Sequence, residues 1–138
     1  METTLVLLKP DAVQKGLVGT VINRFEAAGL SIRGCKLMKL SETVLREHYA
    51  HLVNFPFFPE ILGFMQSSPV VALALRGDNA VARVRDLVGP TDSTKAPKGT
   101  IRGDLGEDKM RNLAHASDSL DNAAVELRRF FGPGELLN

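Results

Sequence analysis

Between Thr4 and Leu8 almost every position is apolar, and the run stops at Lys9-Pro10-Asp11. A half-exposed strand would alternate, so this uniform run predicts a central strand covered on both faces and ended by Pro10. Lys9 then sits where the strand leaves the sheet. After Gly16-Leu17-Val18-Gly19, the apolar positions Val18, Val21, Ile22 and Phe25 recur at helical spacing, and Gly29 closes that helix with a left-handed cap. A second strand is predicted over Ser31 to Leu40, weakened at Gly34. Ser41 then caps a helix, with Glu42 at the positive end of its dipole. That helix carries Tyr49, the one tyrosine. Asn54 to Pro59 breaks it and opens a short helix through Ile61, Leu62, Phe64 and Met65.

Pro69 to Leu75 is the third strand, again too uniformly apolar to face water. Asp78 caps the next helix, which has Val81, Val84 and Leu87 inward, Arg83 and Arg85 away from that stripe, and Gly89 at its end. From Gly89 to Met110 the periodicity vanishes, and Pro90, Pro97, four glycines, Lys95, Lys98, Arg102 and Lys109 take its place. An irregular segment of that length in a compact domain is usually functional or disordered. A short fourth strand is expected around Met110 to Ala114. A last helix follows from about Leu120 to Phe131, capped by Ser119, apolar at Leu120, Ala123, Ala124, Leu127 and Phe130, and stopped by Gly132-Pro133. This order predicts an α+β, ferredoxin-like split βαβ fold. It has a four-stranded antiparallel sheet, helices packed on one face and a long loop before the fourth strand, in one domain over residues 1–138.

Composition narrows the function only by exclusion. At 44% hydrophobic and 24% charged, the chain has the balance of a folded globular protein. A net charge of +1 gives no bulk attraction to nucleic acid or membrane, so any basic site arises from local placement. The single Cys35 allows no internal disulfide and no thiol cluster for zinc. The N-terminal apolar run is too short for a signal peptide or a span, which makes the cytoplasm the expected compartment. No phosphate-binding Gly-x-x-x-x-Gly-Lys-Ser/Thr loop occurs.

Chemistry concentrates in Arg111-Asn112-Leu113-Ala114-His115-Ala116-Ser117-Asp118-Ser119. There a histidine has polar neighbours at close range and a helix start just behind it. Neutral imidazole is a good nucleophile near neutral pH when one nitrogen is exposed and the other is held by an acceptor. Taken alone, His115 reads more readily as a solvated or structural histidine than as a nucleophile, and the Phe55-Pro56-Phe57-Phe58 run as core rather than ligand platform.

Other segments tilt the balance. With Lys9-Pro10-Asp11, Gly16-Leu17-Val18-Gly19, His48-Tyr49, Pro56-Phe57-Phe58, Gly99-Thr100-Ile101-Arg102-Gly103-Asp104 and Asn112-x-x-His115-x-Ser117-Asp118-Ser119 in this order, the chain resembles the nucleoside diphosphate kinases from Thr4 to Leu137. The last two motifs are the most specific. The resemblance implies ping-pong transfer of a γ-phosphate from a nucleoside triphosphate to a nucleoside diphosphate through a phosphohistidine on His115, with Mg²⁺. It implies that Glu126 accepts from the imidazole with Ser117 beside it. Arg85 and Arg102 would hold phosphates, Thr91 would donate a hydroxyl to them, and Lys9 and Tyr49 would lie near the transferred group. Asn112 with Lys9 would hold the sugar hydroxyl, Phe57 would stack on any base, and Asp118 would meet Mg²⁺ through water. It also implies a cytosolic homo-oligomer, a tetramer or hexamer built from dimers, working on ATP/ADP, GTP/GDP and their deoxy forms. No membrane or nucleic-acid partner is expected.

Ala12, Ala116, Lys98, Lys109 and Met110 depart from the family's usual residues. They bear on nucleotide preference and loop geometry, not on the reaction class. A non-catalytic nucleotide- or nucleic-acid-binding module on the same fold is the rival reading. It predicts loss of the histidine or its phosphate ligands, and all of them are present.

Overall fold

The computed structural model describes residues 1–138. Four strands, β1 (Glu2–Leu8), β2 (Ser31–Met38), β3 (Val70–Gly77) and β4 (Ala114–Ala116), form one antiparallel sheet in the order β2-β3-β1-β4. The helices are α1 (Pro10–Gln14), α2 (Val18–Ala27), α3 (Glu42–His48), α4 (Phe58–Met65), α5 (Ala80–Val88), α6 (Ile101–Leu105) and α7 (Leu120–Phe130). The α+β, ferredoxin-like arrangement is as expected. No helix is long and apolar enough to cross a membrane.

The expectation that the helices pack on one face is corrected. Val6, Leu8, Leu73 and Leu75 pack with Val21, Phe25, Val84 and Ile101 of α2, α5 and α6. Leu5, Leu7, Ala72 and Ala74 point the opposite way and meet Leu45, Met65, Leu127 and Phe130 of α3, α4 and α7. Successive strand residues alternate faces, so only a doubly covered strand can be apolar throughout. The uniform runs of β1 and β3 already required this. Leu5, Leu7 and Leu8 are wholly buried, each contributing roughly 1.5–3 kcal/mol of hydrophobic stabilisation.

Smaller differences have local causes. β2 ends at Met38, and its register shifts between Ile32 and Gly34. A side chain at Gly34 would sit 2.9 Å from the Phe131 ring, so glycine is what lets the chain after α7 close over this strand. Asp78 does not cap α5. The cap is Asn79 in a left-handed conformation at φ 51°, and the backbone N–H of Val81 donates to Glu2 at 3.2 Å. The segment after Gly89 is not a bare loop. It holds a short 3₁₀ turn (Ser93–Lys95) and α6, anchored by the fully buried Ile101. That packing consumes the residues up to Leu113, so β4 starts at Ala114, not near Met110. Leu120 and Ala124 of α7 face outward; Ala123, Leu127 and Phe130 face the sheet.

The register then places the chemistry. On β4, His115 stands opposite Leu7, and directly opposed residues share a face. His115 therefore projects to the side covered by α3 and α7.

Candidate active site

A cleft of about 1130 Å³ opens on that side. Lys9, Tyr49, Phe57, Arg85, Thr91, Arg102, Asn112, His115, Asp118 and Glu126 all line it. Ser117, the remaining expected residue, is fully buried behind Glu126 and donates to its Oε1 at 2.6 Å.

The approach to His115 is a tight turn. The N–H of Ala114 donates to the carbonyl of Asn112 at 2.9 Å, which puts Leu113 at the centre of a γ-turn with φ 73°. A buried leucine at positive φ is strained, by about 1–3 kcal/mol as a class. Three contacts impose it. The Leu113 side chain is fully buried. Its N–H donates to Asp11 Oδ2 at 3.1 Å, and its carbonyl accepts from the Lys9 N–H at 2.8 Å. Asp11 thus joins the Lys-Pro-Asp corner to the histidine strand, a role the sequence did not disclose. The turn aims Asn112 and His115 into one cleft from positions three residues apart.

His115 Nε2 lies 3.1 Å from Glu126 Oε1, and Nδ1 has no protein partner. The ring is one-quarter exposed. Burial acts to raise the Glu126 pKa, but hydrogen bonds from His115 and Ser117 outweigh it and pull it down to about 2. A fixed negative charge therefore sits on one imidazole nitrogen, so the N–H is at Nε2 and the lone pair is at Nδ1.

Around this pair the cations are organised by backbone carbonyls. Arg102 donates through Nη1 to Gly89 at 2.8 Å, through Nη2 to Ala114 at 2.6 Å and through Nε to Asn112 at 3.3 Å. Two of its five N–H groups remain free for a ligand. Arg85 donates to the carbonyl of Ala116 at 3.3 Å and is otherwise exposed. Thr91, also exposed, meets Asn112 through its backbone carbonyl, so its hydroxyl is free. Lys9 is nearly buried; its Nζ donates to the Met110 carbonyl at 2.6 Å and to Asn112 Oδ1 at 2.9 Å. One of its three donors is unused. Burial lowers its pKa to about 8, with Asp11 opposing. The Asn112 amide gives both N–H groups to the carbonyls of Thr91 and Lys109 and keeps one acceptor lone pair. Lys9 and Asn112 thus offer one donor and one acceptor side by side, the set a hydroxyl requires.

At the far end, the half-exposed Phe57 ring lies near-parallel to Phe55 at 5.2 Å between centroids, while Phe58 is buried. The aromatic run therefore divides, with Phe58 in the core and Phe57 on the cleft. Tyr49 follows α3 as its cap residue, and burial raises its phenol to about 12.

Two cleft residues escaped sequence reasoning, His48 as a site group in its own right and Arg129. The visible signal for Arg129 was its charge three residues after Glu126 on the predicted helix.

Comparison with known proteins identifies the family. The family model described as nucleoside diphosphate kinase matches residues 2–136. The chain is 50% identical over 132 residues to a nucleoside diphosphate kinase of Rubrobacter xylanophilus, covering 96% of this chain and 99% of that one. It is 47% identical to the enzyme of that name from Gloeobacter violaceus, covering 99% of this chain and 92% of the relative. Its fold superposes with TM-score 0.96 on the structure of a halophilic nucleoside diphosphate kinase from Halobacterium salinarum in complex with CDP. That match has 42% identity and covers 99% of this chain and 91% of the other.

Proposed function

The chain belongs to the nucleoside diphosphate kinase family and is a phosphotransferase of that activity; from this premise we propose that phosphate passes through His115. The observation that carries the proposal is the 3.1 Å pair of His115 Nε2 and Glu126 Oε1, which leaves Nδ1 as a free nucleophile in a cationic cleft. Nδ1 attacks the γ-phosphorus of a bound triphosphate. The bond to the bridging oxygen breaks, and the diphosphate leaves with that electron pair. The ring, now bonded to phosphorus at Nδ1 and protonated at Nε2, is cationic, and Glu126 stabilises it. A second diphosphate reverses the steps through its terminal oxygen. Little covalent machinery is needed, because phosphoryl transfer depends mainly on positioning and charge. In this reading Arg85, Arg102 and the Thr91 hydroxyl hold the phosphates, and Lys9 and Tyr49 approach the transferred group. The Lys9–Asn112 pair takes the sugar hydroxyl and Phe57 takes the base.

Mg²⁺ fits as an ion carried chiefly by the phosphates. Asp118, exposed at the cleft, is the carboxylate available to its water shell. One oxygen accepts from Asn122 at 2.6 Å and the other is unengaged, whereas Glu126 is committed to His115 and Ser117. When bound, the ion neutralises phosphate charge. We also propose a homo-oligomer built from dimers. Support comes from β2, an outer strand with Leu37 and Ile32 exposed beside Leu136 and Leu137 of the tail.

Initial-velocity kinetics test the reaction order. Double-reciprocal plots against triphosphate at several diphosphate concentrations should be parallel, the pattern of a phosphorylated intermediate. Converging lines would mean direct transfer in a ternary complex.

A further inference from the structure

Glu126 and Arg129 stand three residues apart on α7, a spacing at which opposite charges ordinarily meet. They do not pair. Arg129 instead turns to α3, donating through Nε to Glu47 at 3.1 Å and through Nη1 to His48 Nδ1 at 2.9 Å. The same Nδ1 lies 4.0 Å from Glu126 Oε2, on the other side from the oxygen that holds His115. The His48 ring stands edge to face against His115 at 4.5 Å, with Tyr49 at 4.8 Å and Phe130 at 5.1 Å closing around it. Its side chain is 1% exposed.

The state of this ring follows from its partner. Arginine only donates, so Nδ1 is the acceptor and the proton is on Nε2, which is buried with no partner. Burial, with His115 and the Arg129 guanidinium acting in the same direction and Glu126 opposing, pushes the His48 pKa down to about 3. A neutral, buried imidazole therefore stands between a guanidinium and the carboxylate that grips the nucleophile. His48, His115 and Glu126 also place ligand atoms within 4.8 Å of one another, a spacing suited to a metal. The guanidinium already bonded to His48 Nδ1 is the cation of this corner.

We propose that His48 is a positioning residue that holds Arg129 away from Glu126, so that the carboxylate's charge acts on His115 during phosphoryl acceptance. Without the imidazole, Arg129 loses an acceptor, and Glu126 Oε2, 4.0 Å from the nitrogen it was bonded to and its ordinary helical partner, becomes open to it. An arginine–carboxylate pair in a sheltered site is strong and often bidentate. The pair would draw the carboxylate toward α3 and neutralise it, and the imidazolium formed on phosphorylation would lose its counter-charge. The inference rests on His115 as the phosphoryl acceptor.

The test is a four-protein cycle of wild type, His48→Ala, Arg129→Leu and the double variant. Single-turnover labelling from γ-labelled ATP is read beside ADP affinity and the thermal midpoint. His48→Ala should label about tenfold more slowly, the low end for loss of a supporting group, with ADP affinity unchanged. Arg129→Leu should stay within about twofold of wild type, and the double variant should recover most of the lost rate, because the cation to be restrained is gone. If His48→Ala does not fold, His48→Leu preserves volume but not the acceptor. It should be slow and should be rescued by Arg129→Leu in the same way. A double variant as slow as the single His48 variant, or a His48 variant at full rate, overturns the proposal. Wild type that carries no label on His115 overturns the parent reading instead, and this inference with it.

Discussion

Glu126 holds two donors on a single oxygen: Oε1 accepts from Ser117 at 2.6 Å and lies 3.1 Å from His115 Nε2. A carboxylate so held is a counter-charge more than a spacer. Glu126→Gln fills the same volume and removes the charge. Phosphohistidine formation in a single turnover should slow by about 10–100-fold, a range borrowed from supporting groups at metal sites. ATP affinity should be nearly unchanged, because the phosphate-holding groups lie elsewhere. An unaltered rate would make Glu126 a packing residue of α7.

The role proposed for Lys9 implies an alkaline limit. Burial lowers its pKa from 10.5 to about 8, so the free enzyme loses this charge as pH rises through about 8. Since kcat/KM reports the free enzyme, it should fall above about pH 8. The kcat profile should hold to higher pH, because bound phosphate favours the charged amine. Tyr49, raised to about 12, stays neutral across this range and adds no limb. For folding the sign is the opposite. Between about 8 and 10.5 the unfolded chain holds the proton that the folded one has released, so this group's contribution to stability grows with pH. A kcat/KM profile flat to pH 9.5 would contradict the assignment.

Adjacent phenylalanines should separate binding from stability. Phe57 is half-exposed on the cleft and Phe58 is 2% exposed in the core. Phe57→Ala should weaken every nucleotide alike by about 1–3 kcal/mol of stacking, seen in KM, with little change in thermal midpoint. Phe58→Ala should destabilise by about 3–5 kcal/mol. Equal losses of midpoint for the two would place both rings in the core.

Sequence pattern carried the strand count, the order of the longer helices and the motif residues that line the cleft, because buried strands and polar motifs leave strong local signatures, whereas the short α1 and α6 did not. Leu5 to Leu8 even contained the correction to the one-faced sheet, since an uninterrupted apolar strand has no side for water. Other features lay beyond it because they are long-range. The γ-turn at Leu113 depends on Asp11, whose carboxylate bonds the Leu113 N–H from the far end of the chain. At the start of α5 the Val81 N–H is taken by Glu2 of β1, from the far end of the domain's sequence. Arg129 reads locally as the partner of Glu126, and only the packing of α3 against α7 reveals that His48 takes it instead.

The central claim is that His115 Nδ1 carries the phosphate between two nucleotides. The direct measurement is to incubate the protein with γ-labelled ATP and Mg²⁺, remove free nucleotide, map the label and chase with successive nucleoside diphosphates. One phosphoryl group per chain should be found on His115, acid-labile and base-stable, and any nucleoside diphosphate should discharge it to the corresponding triphosphate. His115→Ala should take up no label while still binding ADP. Turnover by an enzyme that never becomes labelled, or label resting on another residue, would contradict the account.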